Sequence, residues 1–279
     1  MSGQSITIPI IQPVINAIVS EETEITPRKI VELLGESYDK DSNYIFEIKE
    51  NITIPTGKTL KDFENIVVND TIIYNGGTIE NCTITLNMSV DALNKLNYNI
   101  FNGYIDFGGR KYGNIKKCNI ISIGYSAISN GYGIIEWCNI ILYSKSKLYN
   151  NKSNYGIKNC IITLNNVCEF YSYGLISDSY IFLYDSTEFL NHNNNTLYGI
   201  LINTYIFVFD NCKISNTKND SSGYFVNTFI LKYSDDFDYD DTTLIEKIVD
   251  NPNEYKLNIP ADTIVLFTSF IKLLINKLN

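Results

Sequence analysis

Apolar and polar residues alternate with a period of two in short bursts along most of the chain, and Gly, Asn and Ser separate the bursts. That period predicts β-strands, and the separators predict turns. The bursts align on one another. Taking Cys138 as origin, Gly133 stands five residues before it, Ile140 two after and Leu142 four after. The same frame recurs at Cys82 (Gly77, Ile84, Leu86), Cys118 (Gly113, Ile120), Ser179 (Gly174, Ile181, Leu183), Thr204 (Gly199, Ile206, Val208) and Thr228 (Gly223, Ile230). Cys160 follows it with Ile162 and Leu164, but Gly156 stands one residue closer. A second register lies eight residues on, at Ser126, Ser146, Cys168, Thr187 and Cys212. Two residues after each of these comes Ile128, Leu148, Phe170, Phe189 or Ile214. The first copy breaks this register at Val90, and the last reaches Asp236 and Phe237.

Successive positions of the first register are 36, 20, 22, 19, 25 and 24 residues apart. A unit this short cannot bury its own apolar face, so identical neighbours must stack to do so. The predicted fold class is an all-β solenoid with Cys, Ser, Thr, Ile, Leu and Val in inward columns. The coil length, the irregular loops and the strands in each coil resemble the single-stranded right-handed parallel β-helix of the pectate-lyase-like superfamily. Bacteriophage tailspikes and other virion proteins share that fold. "ITIPTGKTL" (Ile52 to Leu60) is similar to the superfamily's lead-in, a short strand and a Pro-x-Gly turn that open the first coil. The resemblance covers about residues 45–232. It implies a fold; a function has to come from a site.

The ends look different. "ITPRKIVELLG" predicts a short capping helix, with Thr26 as N-cap, Pro27 in the first turn and Gly35 just past the end. Before it, Ser5 to Val19 is apolar and broken by prolines. It reads either as an arm that lies on a partner or as a segment folded back on its own helix, giving a region 1–44 of arm and cap. Region 233–279 reads as the acidic linker "DDFDYDD" followed by helices in "TTLIEKIVDN" and "ADTIVLFTSFIKLLINKLN". In the last of these, Ile264, Phe267, Ile271, Leu274 and Leu278 make an apolar stripe at 3-4-3-4 spacing, widened by Val265, Phe270 and Ile275.

Composition narrows the chemistry. The net charge is −9 with no basic stripe, which argues against nucleic-acid binding. The N-terminus lacks the basic start of a signal peptide, and no apolar run approaches a membrane span. The six cysteines all fall in the two columns, where a small weakly polar side chain is needed. They form no CxxC pair, and neither a metal nor another cofactor is expected. His192 stands in the turn "NHNNN" as a solvated loop residue. Glu169 and Glu188 are the best carboxylate pair for glycoside cleavage, but they stand in a row Ala127, Lys147, Glu169, Glu188, Lys213 that reads more simply as a solvated charge ladder.

The outward rows carry the other candidates. One residue after the first column stand Thr83, Asn119, Asn139, Ile161, Tyr180, Tyr205 and Phe229; three after stand Thr85, Ile121, Ile141, Thr163, Phe182, Phe207 and Leu231. A solvated face would not end in large apolar residues, so this strip predicts an interface. A subunit contact in a homo-oligomer, most simply a trimer, is the leading reading, with Tyr180, Phe182, Tyr205, Phe207 and Phe229 joined by the stripe of Ile264, Phe267, Ile271 and Leu274. A cover made by the chain's own C-terminal helices, or an aromatic platform for a host surface glycan, are the others. The expected function is structural: a fibre, spike or decoration protein of a virion, made in a host cytoplasm and attached to other virion proteins by its arm. A polysaccharide-degrading enzyme and a surface adhesin are the rivals.

Overall fold

The structure is a computed structural model and describes residues 5–91, 105–106, 113–131, 133–151, 156–194, 197–209, 211–217, 224–233, 238–239 and 248–249. The chain is an all-β parallel solenoid, consistent with a right-handed β-helix. Three sheets run its length. Among the described residues sheet A has 11 strands, sheet C 10 and sheet B 9. Each regular coil visits A, then C, then B, as in Asn119–Gly124, Ala127–Asn130 and Ile135–Glu136. Among the described residues the strands of the three sheets pair in parallel with their equivalents one coil away, apart from the antiparallel pairing of Leu197–Tyr198 with the end of Glu188–Asn194.

The registers read from the sequence are the ones formed. Thr83, Asn119, Asn139, Ile161, Tyr180, Tyr205 and Phe229 are successive partners in sheet A, which places Cys82 through Thr228 in one column. Ala127, Lys147, Glu169, Glu188 and Lys213 are successive partners in sheet C. The 36-residue interval is a single coil whose sheet C strand, Ile105–Asp106, comes late, so the register lost at Val90 resumes there. In the last coil Lys213 pairs with Asp238, one residue beyond the expected position.

The inward rows make one continuous core, from Ile8 and Ile10 to Ile230, with Phe46, Phe63, Phe170 and Phe189 among its largest buried side chains. Phe46 meets Phe63 edge-on, as do Phe170 and Phe189.

Of the two readings of residues 5–19, the structure forms the one folded back on its own chain and not the arm on a partner. These residues belong to the first coil, made of β1 (Ile6–Ile10), α1 (Gln12–Glu21), β2 (Glu24–Ile25) and α2 (Pro27–Leu33), and β3 (Tyr44–Ile48) opens the second. β1 pairs with β3 along its whole length, and Ile8, Ile10, Ile15, Ile25 and Ile30 enter the core. The prolines do not prevent this. Pro9 lies in the outermost strand of sheet A, where a missing N–H costs no ladder bond, and Pro13 lies in the first turn of α1. α1 stands where other coils have their sheet C strand. It therefore covers the end of that sheet, whose first strand is β4 (Ile52–Ile54). The Gln12 side chain pairs with the open edge of β4: Thr53 N–H donates to its Oε1 at 2.6 Å, and its Nε2 donates to Thr53 O at 3.4 Å. α2 forms where expected, with Thr26 as N-cap, although the Thr26 hydroxyl makes no cap bond. Gly35 follows it at φ +83°, the left-handed conformation that ends a helix. The Pro-x-Gly lead-in, between β4 and β5 (Thr59–Lys61), lies inside the second coil rather than at the start of the first.

The C-terminal region also departs from the expectation. Asp238–Tyr239 in the supposed linker is a strand of sheet C, and Ile248–Val249 in the first supposed helix is a strand of sheet A, paired with Ile230 and Leu231. An open sheet edge offers ladder bonds that a short helix end cannot match, and β-branched residues accept them. The stripe of Ile264, Phe267, Ile271 and Leu274 lies outside the described residues.

A candidate interaction face and the columns behind it

The first column does more than fill space. Each thiol donates to the carbonyl two residues back in its own turn: Cys82 to Glu80 at 3.2 Å, Cys118 to Lys116 at 3.1 Å, Cys138 to Glu136 at 3.3 Å and Cys160 to Lys158 at 3.2 Å. Each coil's column residue also accepts from the coil before. The N–H of Cys82 donates to the sulfur of Cys118, Cys118 to Cys138, and Cys138 to Cys160, each at 3.4 Å; Cys160 donates to Ser179 Oγ at 3.1 Å. Ser179, Thr204 and Thr228 repeat the two-back donation. The position therefore needs a small side chain that donates and accepts at once, which Cys, Ser and Thr supply and Ala does not.

This need arises from the corner just before it. Asn81, Lys117, Trp137, Asn159, Asp178, Asn203 and Asn227 all have φ between 47° and 57°. The left-handed corner turns the next N–H inward, away from the sheet, where only a column side chain can receive it. Asn and Asp suit the corner because they tolerate this conformation. They also bond from coil to coil, as Asn203 Nδ2 to Asp178 Oδ1 at 3.0 Å and Asn227 Nδ2 to Asn203 Oδ1 at 3.2 Å. The expectation of small buried cysteines holds, since all six are buried and free. Their hydrogen-bond duty and the Asx corner were not anticipated, though an Asn or Asp directly before Cys, Ser or Thr signals both. Burial pushes the thiols of Cys82 and Cys138 well up, and that of Cys168 up to about 11.

The two carboxylates stand in the expected row, and one of them, Glu169, is in an ion pair. Glu169 and Glu188 are direct partners in adjacent coils, flanked by Lys147 and Lys213. Lys147 Nζ lies 2.7 Å from Glu169 Oε2, and the Tyr171 hydroxyl donates to the same carboxylate. Tyr171 has its pKa raised by burial, with the bond to Glu169 adding to it. Among the described residues no cluster of three or more His, Cys, Asp and Glu side chains is arranged to hold a metal. His192 lies in the strand Glu188–Asn194 rather than a loop; its side chain is outside the described residues.

The outer side of sheet A brings the predicted aromatic residues together. Tyr180 stacks on Tyr205 (centroids 5.6 Å apart) and Tyr205 on Phe229 (5.8 Å); Phe182 stacks on Phe207 (4.5 Å). A third column, Tyr184, Phe209 and Tyr233, continues the pattern at 4.5 and 4.7 Å and was missed by the sequence reading. It lies two residues further on, where each strand ends, and the same alternation marks it. In-register stacking turns the ring faces toward each other, so the columns present mainly edges outward. A sugar platform needs exposed faces, and these rings do not offer them within the columns.

The face is also buried in the single chain. Ile121, Ile141, Thr163, Phe207 and Leu231 point away from the core, yet none keeps more than 5% of its surface. Tyr180 is buried too, while Phe182, Tyr205 and Phe229 are half-buried. Beside them, Asn139 has no exposed surface and neither amide atom has a partner among the described residues.

Comparison with protein-family models, with curated proteins and with solved structures found no match. Among the described residues no helix is long and apolar enough to cross a membrane.

Proposed function

We propose that the protein is a structural, non-enzymatic solenoid of the fibre, spike or decoration type found on virions, in the manner of the tailspike-like β-helices it resembles. One observation carries the reading: four kinds of side-chain contact join one coil to the next. The thiol and hydroxyl column, the Asx corner, the aromatic stacks and the Lys147–Glu169 pair are all spent on cohesion along the axis. Such a molecule is a rod. Glu169 is engaged by a lysine and a tyrosine, an arrangement that serves a ladder better than acid catalysis. With Ile6–Ile10 and Glu24–Ile25 bound into the stack, attachment to other virion proteins falls to an outer face or a coil end. In this reading the copies assemble side by side, most simply as a trimer.

The test combines two measurements on the full chain. Incubated with capsular and plant polysaccharides, it leaves them uncut, and sedimentation at micromolar concentration gives a stable oligomer. Cleavage that Glu169→Gln or Glu188→Gln abolishes installs the enzyme in its place. A strict monomer removes the fibre.

A further inference from the structure

Near the N-terminal end, the loop between α2 and β3 and the corner that follows β5 enclose a cleft of about 50 Å³. Its buried lining is Pro27, Tyr44 and Phe46. Lys40, Asp62 and Glu64 are exposed at its mouth, and Tyr38 is half-buried. The walls are held by contacts of their own. Tyr38 stacks on Tyr44 (centroids 5.4 Å apart), and the Arg28 guanidinium lies over the Tyr38 ring at 5.6 Å. The Asp39 carboxylate accepts from the Asp41 N–H at 3.0 Å and the Ser42 hydroxyl at 2.9 Å, while the Asp39 N–H donates to the Tyr44 hydroxyl at 3.1 Å. Across the cleft, Asn81 Nδ2 donates to Asp62 Oδ1 at 2.8 Å. These contacts leave polar groups unused. Among the described residues the Tyr38 hydroxyl, the Lys40 ammonium and the Glu64 carboxylate have no hydrogen-bond or ion-pair partner. Burial raises the Tyr38 pKa and the Glu64 charge adds to it, so the hydroxyl keeps its proton as a donor.

We propose that this cleft binds a neutral sugar residue at the end of a glycan chain. Charge and shape decide the class of ligand. A cation entering the cleft meets Lys40, and an anion meets Asp62 and Glu64. A neutral ligand rich in hydroxyls satisfies both signs: the carboxylates accept from its hydroxyls, and Lys40 and Tyr38 donate to them. The apolar lining of Pro27, Tyr44 and Phe46 suits the C–H surface of a sugar ring. The volume admits one edge of a single ring, so a chain end enters where a chain interior does not. Because the loop is already fixed by Asp39 and by the Tyr38 stack, little ordering is left for the ligand to impose. The cleft lies apart from the Glu169–Glu188 row, which is on sheet C. It binds its sugar whether or not the rod belongs to a virion, so it goes beyond the structural reading.

Saturation-transfer NMR on the full chain tests it, with the methyl glycosides of glucose, galactose, mannose and N-acetylglucosamine as probes. At least one is expected to give a signal, strongest along one edge of its ring. Glu64→Ala and Lys40→Ala remove exposed, unpaired groups, so the fold is expected to be unaffected. Each is expected to weaken binding by about tenfold or more, the worth of a hydrogen bond to a charged group. Choline and inorganic phosphate are the charged probes. Choline binding lost in Glu64→Ala, or phosphate binding lost in Lys40→Ala, with no sugar bound, overturns the neutral class. Signal from none of the four sugars overturns the inference. Sugar binding unchanged by Glu64→Ala and Lys40→Ala overturns it as well, and its loss in Glu188→Gln then places the site on sheet C. None of these results decides the structural reading, which rests on polysaccharide cleavage and sedimentation.

Discussion

At the scale of single residues, the column positions obey a hydrogen-bond rule stricter than their burial alone requires. Cys138 receives the N–H of Cys118 and donates to Glu136 O. Cys138→Ser and Cys138→Thr are therefore expected to leave stability nearly unchanged. Cys138→Ala orphans a buried N–H at a cost of about 1–3 kcal/mol, and Cys138→Leu overpacks the column by about the same amount. Denaturant midpoints for the four variants check the order; an Ala variant as stable as the Ser variant would remove the acceptor role. Asn139 is the converse case. Its amide is buried without a partner among the described residues between Asn119 and Ile161, so Asn139→Val should raise the midpoint. The thiols also set a pH response. Cys168 is held at about 11 against an ordinary value of 9.0. A raised pKa means the folded state keeps a proton that the unfolded state gives up. The associated stability is whole below pH 9, declines above it and is gone past pH 11, which alkaline unfolding curves of wild type and Cys168→Ser compare directly.

At the scale of elements, the corner that joins sheet B to sheet A decides which residues are tolerated. Trp137 sits in it at φ 57°, exposed, where every other coil but Lys117's has Asn or Asp. Trp137→Asn is expected to stabilise by about 1 kcal/mol, since the left-handed conformation costs an ordinary residue about 1–2 kcal/mol. A fall in melting temperature would show that the indole packs better than its exposure indicates. The glycine five residues before the column has a different reason. At Gly113 a Cβ would lie 2.1 Å from the carbonyl oxygen of Asn75 in the coil beneath. Neighbouring backbones approach too closely there for any side chain, and Gly113→Ala is expected to lower the midpoint by more than any surface substitution.

At the scale of the whole molecule, the solenoid is as stable as its seams and its ends. If the outer strip is covered by the same chain, Phe182→Asp with Phe207→Asp buries charge inside a seam. The double variant should then unfold far more readily, whatever its state of association. If the strip joined separate copies, the same variant would dissociate into folded monomers instead. Sedimentation and thermal unfolding of one sample tell these apart. The N-terminal end is closed by α1 and by the Gln12 amide on Thr53. Gln12→Ala reopens the edge of sheet C, and concentration-dependent aggregation is the expected sign.

The repeat was legible without coordinates because a solenoid writes its contacts into a fixed period. Each residue of the Ile120, Ile140, Ile162 and Ile181 row meets its own equivalent, so local spacing and tertiary contact are the same information. The candidate strip was legible for the same reason. Legibility failed where contacts leave the period. Residues 6–25 carry no repeat signature, and only their stacking on β3 and β5 shows them to be a coil rather than an arm. Ile248–Val249 reads locally as helix and becomes strand because an open edge was there to accept it. Burial of Ile121 and Phe207 is likewise invisible to a pattern that specifies direction alone: alternation says that a side chain points outward, and only the tertiary structure decides whether water is what it meets there.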